Sequence, residues 1–350
     1  MKKVAKWTGL TVVAVVVIVN VVGRGMNAPR YSGPRSDHFD GEAFHNAEPV
    51  ELPGVWRAVR YALTTTHGAW DVWRENPMAT PPPARIGGGG VRVTFINHAT
   101  TLIQMDSLNV LTDPIWSERA SPFPWTGPQR RHAPGLALDE LSSIEVVLLS
   151  HNHYDHTDLA TLDSLRIAHN PLFIVGLGSA ALLRDLGITH IQELDWDDET
   201  VYRGLRFIGQ RCRHFSGRGI SDSQPTLWMS YILDGPSGRV YFSGDTGYGS
   251  HFAETGRNWG PFRLAILPIG AFLPRWFMGT VHINPEEALQ AHTELRAYTS
   301  LGVHYGTFRL SEESQDRPLE DLERAIVRRG GNVRFWTLAP GEGRDIPTLP

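Results

Sequence analysis

An α/β (α+β) fold is predicted, with helices covering the outer faces of stacked sheets and an N-terminal apolar segment ahead of them. Three observations predict it. From Val91 onward, short β-branched and aromatic runs alternate with helical stretches, and helices on both faces of packed sheets are the layered solution such alternation allows. Several of these runs end in loops bearing His and Asp, where functional residues collect. At the N-terminus Lys2, Lys3 and Lys6 precede an apolar run from Leu10 to Val22, with Arg24 beyond it, the pattern of an export signal.

Composition narrows the class. The 350 residues are 41% hydrophobic and 20% charged, which excludes a disordered chain, a collagen and a coiled coil. A net charge of -4 gives no bulk basicity, so nucleic acid is not an expected partner. The single cysteine, Cys212, rules out an intrachain disulfide framework and a cysteine-based zinc ribbon. Fifteen histidines, many of them clustered, are the informative count.

The elements follow in order. Residues 1–24 read as a signal anchor or a signal peptide. No small-x-small cleavage site follows the apolar run, and Val4 to Val22 spans about 19 residues, near the roughly 20 that cross a bilayer. The anchor is the preferred reading. The lysine flank then keeps the N-terminus in the cytoplasm and exports the body. Residues 25–90 form an arm. Its first half, 25–50, is rich in Pro, Gly, Asn and Asp and reads as a linker or extended segment. Residues 54–75 read as helical or partly so, with Trp56, Val59, Leu63, Trp70 and Trp73 on one aromatic face, either packed on the body or lying at a membrane surface. TPPPARIGGGG, 80–90, breaks the chain as a hinge. Residues 91–345 carry the main domain. Strands are expected at VRVTFI (91–96), in two runs across 101–114 turning near Asp106-Ser107, and at IEVVLLS (144–150). LFIVG, LRFIGQ, TLWMSYIL, RVYFSGD and LAILPIG follow. Helices are expected around 178–186, 285–297 and 318–329. No internal repeat is evident.

The segment HNHYDHTD, 151–158, begins where the apolar strand ends. In extended chain His151 and His153 point the same way. Imidazole and carboxylate are ligands that suit zinc. With Asp155 and His156, four such groups within six residues are too many for one tetrahedral ion that also keeps a water, and they suit two adjacent metals completed from elsewhere. The completing groups are His214 after LRFIGQRCR, Asp245 in FSGDTGY and His304 in LGVHYGT, each after a strand and before glycine-containing chain. An array of buried His and Asp without metal is too costly to be merely structural.

At these residues the chain resembles the metallo-β-lactamase superfamily, and within it the N-acyl-phosphatidylethanolamine-hydrolysing phospholipase D group and its bacterial relatives. The matching pieces are 97–131, SHNHYDHTD (150–158), FSGDTGY (242–248), HINPEEA (282–288) and HYGTFRLS (304–311). The resemblance implies a four-layer αββα sandwich with two Zn2+ at one edge, iron or manganese being compatible with the same ligands. It implies one zinc on His151, His153 and His214, the other on Asp155, His156 and His304, and Asp245 between them. His282 corresponds to a histidine near the substrate. His98 and Asp113 match positions beside the metals, where they hold ligands or meet substrate. One departure is Phe215, where the group usually carries Trp; the RCR before His214 is also unusual.

The activity so implied is a phospholipase D-type phosphodiesterase. A metal-bridging hydroxide attacks phosphorus, Asp155 and Asp245 orient it, and His282 assists the leaving group or binds phosphate. The partners implied are a phospholipid substrate and a membrane, with a homodimer compatible, and the placement is a bacterial inner membrane facing the periplasm, or secretion if the signal is cleaved. Three alternatives stay open: a hydrolase of another ester, lactone, β-lactam or nucleic-acid phosphodiester; an iron redox enzyme; and a membrane-tethered binding protein with a vestigial site.

Overall fold

The computed structural model describes residues 23–52, 54–219 and 221–350. Fourteen strands among them form two seven-stranded sheets. In the first, β14 (Gly343–Asp345), β1 (Val91–Asn97), β2 (Thr100–Met105) and β3 (Leu108–Thr112) are antiparallel. β4 (Val146–Leu149), β5 (Leu172–Gly176) and β6 (Ile191–Leu194) continue parallel to β3. The second sheet repeats the arrangement. β7 (Glu199–Tyr202), β8 (Leu205–Gln210), β9 (Ser230–Gly235) and β10 (Gly238–Phe242) are antiparallel, then β11 (Leu264–Pro268), β12 (Ser300–Val303) and β13 (Phe335–Trp336) run parallel. No sequence repeat announces this symmetry, because only the buried pattern is shared.

Alternation decides the layers. Val93, Phe95, Ile103, Val110, Val146 and Leu148 face Phe207, Tyr231, Leu233, Val240, Phe242 and Ile266 in the core between the sheets. The other faces bury Val147, Leu149, Phe173 and Val175 under α2 (Leu159–His169) and α3 (Ser179–Arg184). They bury Ile208, Ile232, Tyr241 and Leu267 under α4 (His251–Trp259), α6 (Pro285–Glu294) and α7 (Arg317–Arg328), the short α5 (Arg275–Met278) coming between α4 and α6 in the chain. The order helix, sheet, sheet, helix is the αββα sandwich. The central parallel strands are apolar on both faces because both are covered.

Residues 25–50 are no linker. Phe39 and Phe44 are buried in the inter-sheet core with Tyr31 against them, and His38 Nε2 pairs with Asp195 Oδ1 at 2.8 Å. The predicted helix over 54–75 exists only as α1 (Val55–Thr64). Thr64, Thr65 and Thr66 are β-branched, and Gly68 presses so close to Ser314 that a Cβ would sit 2.5 Å from its backbone nitrogen. The single aromatic face is therefore not formed. Trp70 instead donates to the Glu313 carbonyl at 2.9 Å, and Trp73 to Glu75 Oε1 at 2.9 Å. The 80–90 hinge is strapped to the first sheet, since Gln104 donates to the Pro83 carbonyl at 2.7 Å and Asn109 to that of Ala84 at 3.0 Å. TLWMSYIL becomes strand only from Ser230; Leu227 and Met229 are instead tied to Leu177 and Ser150 beyond β5 and β4.

Residues 1–22 of the predicted N-terminal membrane segment lie outside the described residues. Among the described residues no helix is long and apolar enough to cross a membrane.

Candidate metal centre

The ten candidate site residues gather at one edge of the sandwich. Asp113 follows β3, the block 151–156 follows β4, His214 follows β8, Asp245 follows β10 and His304 follows β12. His98 occupies the turn between β1 and β2, and His282 stands just before α6. One ligand atom from each of His151, His153 and His214 lies within 4.8 Å of the others, and the same holds for His98, Asp155, His156 and His304. Asp245 stands between the groups: its Oδ2 is 3.2 Å from His156 Nε2, 3.2 Å from His304 Nε2 and 3.9 Å from His214 Nε2.

The surroundings aim these rings inward. Asp113 Oδ2 accepts from His156 Nδ1 at 2.6 Å and from Ser150 Oγ at 2.6 Å. Ser150 Oγ, having donated to Asp113, accepts from His151 Nδ1 at 2.9 Å. His214 Nδ1 donates to the Val281 carbonyl at 3.0 Å. Each of these bonds uses Nδ1 and leaves Nε2 for the centre, as metal-binding imidazoles require. His98 Nε2 reaches Asp155 Oδ2 at 3.0 Å. Gly244 lets the Asp245 loop approach, since a Cβ there would lie 2.4 Å from Ser150 Cβ. His98, Asp113 and His304 hold φ values of 45°, 33° and 62°, each costing about 1–3 kcal/mol. Backbone strain at three residues of one cluster marks a site shaped for something other than stability.

Unmet bonding points to cations. His156 Nε2, His304 Nε2, His282 Nδ1 and Asp245 Oδ1 are buried without a hydrogen-bond partner. Burial alone would raise the pKa of Asp155 and Asp245, yet His156 and His304 facing them hold both carboxyls well below the usual range. Those two imidazoles answer: against burial, the carboxylates push His156 well up and His304 to about 9. Burial drives the other rings the opposite way, His153 and His282 to about 4, His98 to about 3, and His151 and His214 well down. The carboxylates demand positive charge, neutral imidazole nitrogens crowd round them, and divalent cations satisfy both.

Above the centre opens a cavity of about 420 Å³. Its floor includes His153, Asp155, Asp245, His282 and His304, and Leu52, Phe215, Phe277, Met278, Val281 and Leu310 wall it. Among the described residues no Lys or Arg lines it. Phe215 stacks edge-on to His153 with ring centroids 4.5 Å apart.

One residue of the arm that reaches the site escaped sequence reading. Asn46, in the arm, donates to the His214 carbonyl at 2.8 Å and accepts from the His214 N–H at 3.0 Å. Trp228 Nε1 donates to the same Asn46 oxygen at 3.2 Å. Asn46 lies 168 positions from His214, and nothing local to it signals a ligand clamp.

Comparison with known proteins agrees with this geometry. Residues 108–305 match the family model described as the β-lactamase superfamily domain. An uncharacterized protein of Mycobacterium tuberculosis is 38% identical over 90% of this chain and 86% of its own. The N-acyl-phosphatidylethanolamine-hydrolyzing phospholipase D 1 of Caenorhabditis elegans is 35% identical over 72% of this chain and 75% of its own. A possible metal-dependent hydrolase from Veillonella parvula shares the fold, with a TM-score of 0.59 at 18% identity over 74% of this chain and all of its own. With a family model across the catalytic core and relatives along most of its length, the chain belongs to the metallo-β-lactamase superfamily and is a metal-dependent hydrolase.

Proposed function

We propose that the chain is a dinuclear zinc phosphodiesterase of phospholipase D type, cleaving phospholipids of the N-acyl-phosphatidylethanolamine kind at a membrane. One observation carries the reading: a single cavity joins a floor of histidines and carboxylates to apolar walls, as a substrate with a phosphodiester and acyl chains requires. The activity named for the nematode relative supports the same substrate class. In this reading His151, His153 and His214 would hold one ion, and Asp155, His156 and His304 the other, with Asp245 beside both. Two divalent ions there would supply Lewis acidity and a water whose pKa falls from 15.7 toward about 7.

The chain's own residues do the rest. The apolar walls exclude bulk water and hold the acyl chains. Asp155 and Asp245, both ionised, orient the attacking water and accept its proton. His282, neutral and with Nδ1 unpartnered 3.8 Å from Asp245 Oδ2, relays the proton taken from that water to the departing head-group oxygen. Water's oxygen bonds to phosphorus, the P–O bond to the head group breaks, and the products are phosphatidic acid and N-acylethanolamine. Among the described residues no Lys or Arg lines the cavity, so bound divalent cations would be what offsets the phosphate charge.

The test is mass spectrometry of products from zinc-loaded protein incubated with N-acyl-phosphatidylethanolamine in micelles, beside phosphatidylcholine, a β-lactam and a lactone, with His153→Ala as blank. Release of N-acylethanolamine by the wild type alone is expected. Cleavage of another ester instead keeps the hydrolase and removes the lipid substrate.

A further inference from the structure

We propose that helix α1 docks on an anionic lipid surface and sets the cavity mouth against it, an inference that takes its purpose from the phospholipid reading. The helix has two working faces. Outward, Trp56, Val59 and Leu63 are 85%, 42% and 81% exposed, and their spacing puts them on one stripe. Inward, Tyr61 stacks on Phe277 with ring centroids 4.4 Å apart and donates to the Leu310 carbonyl at 3.3 Å. Phe277 and Leu310 are cavity wall, as is Leu52 just before the helix. The exposed apolar stripe and the wall of the cavity are therefore two sides of one helix turn.

Charge and chain path identify the occupant as lipid. The helix VWRAVRYALT contains Arg57 and Arg60 and no acidic residue. Arg60 lies over the Trp276 ring at 4.5 Å, and Arg57 donates to the Trp276 carbonyl. Exposed Trp and Leu beside Arg is the make-up of an interfacial helix, apolar side chains in the acyl boundary and guanidinium at anionic head groups. Ser223 also lines the cavity, and nearby Ser221 accepts from Asn27 Nδ2 at 2.9 Å, only five positions after the apolar run of the sequence ends at Val22.

The test uses the full chain. Cys212 is the only cysteine and is buried, so a cysteine introduced by Leu63→Cys takes a polarity-sensitive fluorophore selectively. Val327→Cys, at a 67% exposed apolar position on α7, is the control on the same anchored molecule. With phosphatidylcholine vesicles containing phosphatidylglycerol, the Leu63 label should shift to the blue and lose quenching by aqueous iodide, while the Val327 label does neither. Adding Arg57→Gln and Arg60→Gln should reduce the shift. No shift at Leu63, an equal shift at Val327, or a shift that depends on protein concentration without lipid (a protein partner, here a second copy) would each overturn the proposal. Labelling needs no turnover, so docking without N-acylethanolamine release refutes the substrate and leaves the surface standing.

Discussion

Replacing Asn46 with Ala tests whether the arm belongs to the metal centre. The side chain partners both backbone groups of His214, a residue with no exposed surface. Each buried backbone group left unpaired costs about 1–3 kcal/mol. Trp228 Nε1 keeps a second acceptor, the Cys212 carbonyl at 3.3 Å, so its loss adds little. The sum is about 2–6 kcal/mol of stability. Metal binding suffers as well, since groups that orient a ligand are worth about 10–100-fold in affinity. Urea unfolding of the metal-free protein reads the first effect and competition with a chromophoric chelator the second. Asn46→Asp keeps the acceptor for the His214 N–H, loses the donor, and should fall between. An alanine variant with an unchanged unfolding midpoint and unchanged chelator competition would refute the clamp.

Two further outcomes concern the same arm. Phe44 is fully buried and meets Phe39 with ring centroids 4.7 Å apart, so Phe44→Ala should cost about 3–5 kcal/mol in urea unfolding; a cost under about 1 kcal/mol would mean the arm lies outside the core. Burial alone would lower the pKa of His38, but hydrogen bonds from its ring to Asp195 and Asp37 outweigh it and raise it. A raised folded pKa contributes stability that is full below the ordinary histidine range and fades as pH climbs through the folded value. The Tm gap between wild type and His38→Gln should therefore shrink from pH 6 upward, and a gap that widens would contradict the ion pairs.

The candidate ligands were legible as a cluster because their chemistry is local. His151, His153, Asp155 and His156 sit within six residues, and His214, Asp245 and His304 share a placement just beyond strands that any layered sheet brings to one edge. What positions them was illegible for the opposite reason. Ser150 acquires its role only when Asp113 lies beside it, and Asn46 only when the arm crosses the sandwich. The arm itself misled: Phe39 and Phe44 are two apolar residues in a polar, proline-rich stretch, with no period for a pattern to reveal. Helix α1 was half right, since its apolar spacing is real, but the threonine run and Gly68 end it before Trp70. At TLWMSYIL, hydrophobicity reported burial correctly throughout and strand correctly only from Ser230, because Leu227 and Met229 are buried where the chain runs past the ends of β5 and β4 before entering β9.

Counting bound metal tests the two-ion centre most directly. Inductively coupled plasma mass spectrometry on desalted wild type should find two divalent ions per chain. His214→Ala and His304→Ala should each retain about one, because each removes a ligand from a different group. A wild type that binds a single ion, or variants that both lose all metal or none, would contradict the division into two groups about Asp245.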